Sequence, residues 1–188
     1  MTQQGKNAID LVLAESLIEL SAKKPIDKIT IKEITDKAGV IRPTFYNHFQ
    51  DKYELIEWII KTELLEPIKP LLNAGMIFEA IVLMLNNISA NSFFYKKALK
   101  LEGAVTFNQI AMKCVYEMFM NIISEKSTGK KSKYRWLTPE VISTYYAQSL
   151  CFITEGWIAQ GMDDIEPKEM AEAYMYLITR SMDDILSE

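Results

Sequence analysis

An all-α fold follows from three features of the sequence. Apolar residues make up 49% of the chain and recur at spacings of three and four. Strand-like alternation is hard to find. Breakers are few, seven Gly and six Pro in 188 residues, and the runs between them are long. That is enough apolar content for a sizeable core in one globular unit or in a small head on a larger body.

Ile9, Leu13, Leu17 and Leu20 share helical spacing, with Asp10, Glu15 and Glu19 placed elsewhere on the wheel. They predict an amphipathic first helix of about four turns, ended by Pro25. Thr30-Ile31-Lys32-Glu33 is a capping box opening a short helix over Ile31 to Ala38, and Gly39 breaks it in a left-handed turn. Thr44 to Phe49 is periodic again, so a third helix starts within a few residues. Two short helices around a tight Gly turn make a helix-turn-helix. Asp51 caps a longer helix to near Glu66, stopped by Pro67 and Pro70, the expected joint between a head over 1–51 and a body over 52–188. Helical runs at 75–89, 92–101 and 107–126 follow. Thr138-Pro139 opens another to Gln160, and Pro167 opens the last, running to Leu186. The expected total is about nine helices, three of them in the head.

Charge is distributed unevenly. Residues 23–52 hold seven basic and four acidic side chains in a chain whose net charge is −4. Positive charge collects where a polyanion would dock, and the body is acidic. The first apolar run is interrupted by Asp10 and Glu15, and the least charged stretch, Val141 to Thr154, is too short to span a bilayer. A cytoplasmic protein without membrane or cofactor is expected. Cys114 and Cys151 lack metal-ligand spacing and read as buried thiols, and a lone histidine, His48, leaves little for metal binding or catalysis. Gly129-Lys130-Lys131-Ser132 and Gly156 to Gly161 both miss the phosphate-loop spacing. The basic run Lys126 to Arg135, beside Tyr134 and Trp136, reads as a solvated loop.

Within the head, Phe45 and Phe49 lie four apart on one face and can plug a core, leaving Thr44, Tyr46, Asn47 and His48 outside or at the rim. Such side chains offer donors and acceptors for base edges and phosphates. The run Ile29 to Val40, with Arg42, Thr44-Phe45-Tyr46-Asn47-His48-Phe49, Lys52 and Leu55, resembles the DNA-binding head of the TetR/AcrR family of transcriptional regulators. The resemblance implies that Arg42, Pro43, Thr44 and Asn47 lie nearest the bases and that Tyr46 and His48 touch the DNA backbone. It also implies phosphate contacts from Thr30 and Lys52. Ile41 stands where the family usually has a small hydroxyl residue, and Pro43 where it often has Gly or another small residue.

In the body, Tyr95-Lys96-Lys97-Ala98-Leu99, Glu102-Gly103, Phe107, Gly156-Trp157-Ile158, Gly161 and Pro167 resemble the subgroup that includes dihydroxyacetone-kinase regulators. Phe94, Phe107, Tyr116, Phe119, Tyr145 and Phe152 are candidates for a pocket taking an apolar or amphipathic small-molecule effector, with ordinary core as the alternative. From Thr138 to Gln160 the only charges are Glu140 and Glu155, so that helix needs cover on most sides. The last helix carries the stripe Ala171, Tyr174, Ile178, Ser181 and Ile185 beside a second one of Met170, Ala173 and Leu177. Assigning the first stripe, with Tyr146 and Trp157, to a homodimer interface gives a four-helix bundle between subunits.

The expected function is a ligand-responsive regulator, a repressor, binding a near-palindromic double-stranded DNA operator as a homodimer. A co-regulator of the same fold acting through a protein partner is the alternative. No nucleophile, base or metal constellation supports an enzyme.

Overall fold

A computed structural model describes residues 3–126 and 133–187; most of the basic run at 126–135 and the Gly129 to Ser132 segment lie outside them. Among the described residues every regular element is helical.

The head begins with α1 (Gln3–Ser21). Its buried residues are Asp10, Leu13, Ala14, Ser16, Leu17 and Ser21, so Asp10 lies on the apolar face and not on the solvent side assigned from the sequence. A 3-10 turn (Ile26–Lys28) leads to α2 (Ile31–Ala38) and α3 (Arg42–Tyr46). Thr30 caps α2: its Oγ1 accepts from the Glu33 amide, and its own amide donates to Glu33 Oε2. Gly39 ends α2 at φ +68°, where a Cβ would be strained.

Next, α4 (Lys52–Ile59) starts at Asp51, whose carboxylate accepts from the amides of Tyr53 and Glu54. It packs on α1 on one side and on α8 (Phe107–Lys126) on the other. Its continuation, Ile60–Leu65, is wound as π-helix, with the Glu66 amide donating to Lys61 O at 2.8 Å and the Asn87 side-chain amide donating to Glu63 O. The path ends at Glu66, just before Pro67, as expected, and Pro70 then sits in the first turn of a short α5 (Lys69–Asn73), where its missing amide costs nothing.

The body continues with α6 (Ile77–Ala90), α7 (Ser92–Ala98), α8, α9 (Pro139–Ala159) and α10 (Pro167–Thr179). The last helix is shorter than expected. Ser181 and Asp184 form their own capping box, so the chain turns extended at Arg180 and restarts as α11 (Met182–Leu186). Among the described residues no single helix is long and apolar enough to cross a membrane.

Candidate nucleic-acid interface

Phe45 is fully buried and Phe49 nearly so, their rings 5.9 Å apart. Phe49 meets Trp58 of α4 edge-on at 6.3 Å. This plug fixes the depth and rotation of α3. Around it, Arg42, Pro43, Tyr46 and Asn47 are exposed and Thr44 is half-buried. Arg42 Nη2 donates to the Tyr46 hydroxyl at 3.2 Å, its guanidinium 5.9 Å from that ring's centre, so the two side chains stand as one ridge. Ile41, at the N-cap of α3, makes no side-chain cap and is 68% exposed. Pro43 carries no amide proton and the Thr44 amide donates to Ile41 O at 2.9 Å, so the first turn of α3 offers an anion little.

Three expected DNA contacts are placed differently. The imidazole of His48 is turned inward, its side chain 1% exposed, and its Nδ1 lies 2.6 Å from Asp10 Oδ1 of α1. It ties the end of α3 to α1 and presents no ring atom to a phosphate. The Lys52 ammonium donates to the carbonyls of Ile26, Asp27 and Ile29 at 3.0, 2.6 and 3.2 Å, which uses all three of its protons. Burial, which strips water from the ammonium, lowers its pKa. The Thr30 hydroxyl donates to Glu33 Oε2, and Lys24 holds that same carboxylate at 2.6 Å. The hydrogen bond from Lys24, with those from Thr30, holds the Glu33 pKa down at about 2. Lys52→Ala is therefore expected to destabilise the head by roughly 1–3 kcal/mol, because three carbonyls, two of them on buried residues, lose a charged donor. Salt titration of DNA binding should keep its slope; a slope reduced by about 1 would restore a phosphate role.

His48 and Asp10 are 38 positions apart, so no local pattern links them. The one available signal was an acidic residue at helical spacing with Leu13 and Leu17.

On α9 and α10 several side chains face the opposite way from the sequence reading. Tyr145 and Phe152, expected in a pocket, are 61% and 76% exposed on the outer face of α9. Trp157, Ala171 and Tyr174, expected at an interface, are buried in the subunit. The Trp157 indole donates to Ile165 O at 2.9 Å, and Ser149 lies 3.5 Å from the Tyr174 hydroxyl. The α10 face carrying Ala171, Tyr174 and Ile178 turns inward, Ser181 caps α11, and Ile185 is half-buried there, so the expected stripe is not continuous.

Among the described residues, two cavities lie between the body helices, apart from an open groove on the outer faces of α9 and α10. The larger, about 370 Å³, runs between α5, α6, α8, α9 and α10, with Phe119, Tyr146 and Ile178 in its wall. A smaller one, about 50 Å³, lies against the π-helical segment and includes Tyr95, Phe107, Thr154 and Glu155. Of the expected pocket residues, Phe107 and Phe119 line these cavities; Phe94 is packed core, and Tyr116 is half-buried against it. Cys114 and Cys151 are buried free thiols whose pKa values burial pushes up to about 12. Among the described residues no cluster of His, Cys, Asp or Glu could hold a metal.

A family model described as bacterial regulatory proteins, tetR family, matches residues 15–59, from within α1 to the end of α4. A second, the transcriptional regulator C-terminal region of TetR proteins, matches residues 76–180. The chain belongs to the TetR family of transcriptional regulators. This regulator is 26% identical over 152 residues, 80% of its length and 79% of the relative's, to the HTH-type dhaKLM operon transcriptional activator DhaS of Lactococcus lactis subsp. lactis (strain IL1403). Among solved structures it is similar to the dihydroxyacetone kinase operon activator DhaS, with a TM-score of 0.63 at 21% identity over 90% of this chain and 93% of that one. It is also similar to NalD, the secondary repressor of the MexAB-OprM multidrug efflux pump in Pseudomonas aeruginosa, with a TM-score of 0.60 at 12% identity over 92% and 96%.

Proposed function

We propose that this regulator binds a near-palindromic operator as a homodimer, with α3 of each subunit in a major groove, and that a small molecule in the body alters the spacing of the two heads. The observation that carries the reading is the ridge of Arg42, Pro43, Tyr46 and Asn47 standing exposed above the Phe45–Phe49 plug. Donors and acceptors on a short, rigidly seated helix suit base edges, and a mobile helix would lose that discrimination. Arg42 and Asn47 read bases, Tyr46 takes a phosphate, and Thr44 packs at the margin.

The working division is a head over 1–51 and a body over 52–188, with α4 as the lever between them. Across the α4–α8 contact Glu57 accepts from Lys113 at 2.8 Å and from Lys61 at 2.6 Å, and Lys61 reaches Glu117 at 2.8 Å. Movement of α8 around an occupied cavity is thus passed to α4. The larger cavity's volume is of the order of known ligand sites, roughly 300–1,000 Å³. The named relatives include an activator and a repressor. Whether bound protein blocks or recruits polymerase depends on where the operator lies, so repression is the sense we assign to an operator overlapping its promoter.

Selection of bound fragments from a random DNA library tests the reading. Asn47→Ala and Arg42→Ala should each relax preference at particular base pairs, by about 1–3 kcal/mol, in two symmetric half-sites. Uniform weakening across the library would count against base reading by α3.

A further inference from the structure

Among the described residues three buried hydroxyls have no hydrogen-bond partner: those of Tyr95, Ser143 and Thr154. Two of the three, Tyr95 on α7 and Thr154 on α9, line the same small cavity. Buried polar groups are ordinarily paired, so two orphans from different helices facing one space point to something that pairs them there. Tyr95 is fully buried and its ring is held edge-on by Phe94 at 5.2 Å and Phe107 at 6.2 Å, so the hydroxyl cannot swing out to solvent. Burial, with the Glu63 carboxylate nearby, pushes its pKa up and keeps it a proton donor.

The small cavity does not stand alone. Met84 and Leu150 line both it and the larger apolar cavity, so these two side chains form a shared wall. Met84 is unbranched and adaptable, the kind of side chain that yields to a guest. One end of the combined space offers two hydroxyls, and the other offers Phe119, Ile142, Ile178 and further apolar groups. Among the described residues the small cavity's wall carries one carboxylate, Glu155, and it already accepts from Asn108 Nδ2 at 2.5 Å. A second anion beside it would be repelled. A buried cation would lack a carboxylate of its own.

We propose that the effector is a neutral amphipath whose hydroxyl head pairs with Tyr95 and Thr154 while its apolar tail passes Met84 and Leu150 into the larger cavity. This rests on the effector reading above and gives that effector its chemistry. The head would sit against Ile60, Leu64 and Leu65 of the π-helical segment, the part of the α4 path that borders the small cavity. A π-helical turn is a register that a neighbouring group can reset, so the site is placed where occupancy acts on the lever.

Calorimetric titration of the full chain with 1-octanol, octanoate and octylamine tests this. 1-Octanol should bind, with octanoate and octylamine at least about tenfold weaker. Tyr95→Phe and Thr154→Val should each weaken 1-octanol about tenfold while leaving the melting temperature of the free protein unchanged or raised, since each removes an orphan hydroxyl. Ile178→Trp, which fills the tail cavity, should abolish binding with both hydroxyls intact. Binding of 1-octanol that neither Tyr95→Phe nor Thr154→Val alters would overturn the head assignment, and its loss in Ile178→Trp would show that the effector cavity itself stands. Tighter binding of octylamine or octanoate would overturn neutrality. No binding by any of the three overturns the proposal, and operator release by other compounds would then separate its failure from that of the effector reading.

Discussion

Phe45→Ala is expected to abolish operator binding while the body still folds. The ring is fully buried in the head's core, and its centre lies 5.9 and 5.6 Å from those of Phe49 and Tyr46. Truncating a buried Phe costs roughly 3–5 kcal/mol through lost transfer energy and the cavity left behind. A whole domain is stable by only about 5–15 kcal/mol, and the head is a small part of this one. Helix α3 has five residues and one proline, too few to persist without its anchor. Its exposed ridge would then be presented in many orientations. Hydrogen exchange should show faster exchange across 28–53 with little change beyond α6. Arg42→Ala should weaken operator binding with exchange unchanged, which separates a lost contact from a lost support. Wild-type affinity in Phe45→Ala would mean that something other than this ring seats the helix.

The head is legible in the sequence because its boundaries are written in local chemistry. Thr30 with Glu33, Gly39 at positive φ and Asp51 ahead of Tyr53 each satisfy backbone groups within a few residues, and the structure uses all three. Partners far apart in the chain leave no such trace. The Asp10–His48 pair and the three carbonyls around Lys52 depend on how α1, the 3-10 turn and α4 meet, whereas the α3 periodicity put His48 at the rim and the family resemblance made both it and Lys52 look like free donors. In the body the difficulty is different. Helix α9 is apolar nearly all round, so periodicity gives it no inner side. Tyr145 and Phe152 cannot be told from Tyr146 and Trp157 until α8 and α10 are in place. The break before α11 was readable, since Ser181 and Asp184 have capping-box spacing, but the apolar stripe running through it suggests one continuous helix. The π-helical turn has no recognisable sequence signal in Ile60 to Leu65.

The exchange of faces on α9 and α10 moves the expected subunit contact and carries the second large prediction. Phe152 is 76% exposed, Tyr145 61% and Leu177 48%, and an open groove lined by Phe152, Gly156, Ala159 and Met170 joins the outer faces of the two helices. Large apolar side chains gathered on two adjacent helices mark an interaction surface, and a two-fold axis between them would pair each face with its own copy. Phe152→Asp places a charge at the most exposed ring of this patch and is expected to give monomers. Because that ring supports nothing inside its own subunit, the stability of each subunit should change by less than about 0.5 kcal/mol. Ile178→Asp, on the inward face of α10, should instead lower the melting temperature, since Ile178 helps wall the larger cavity. Two linked heads bind two half-sites with an avidity gain of roughly 10²–10⁴, so monomeric Phe152→Asp should lose affinity for the full operator by about that factor and keep wild-type affinity for a single half-site. Sedimentation of both variants, with operator and half-site titrations, separates the cases. A Phe152→Asp protein that is still dimeric at micromolar concentration would place the contact elsewhere than on this face.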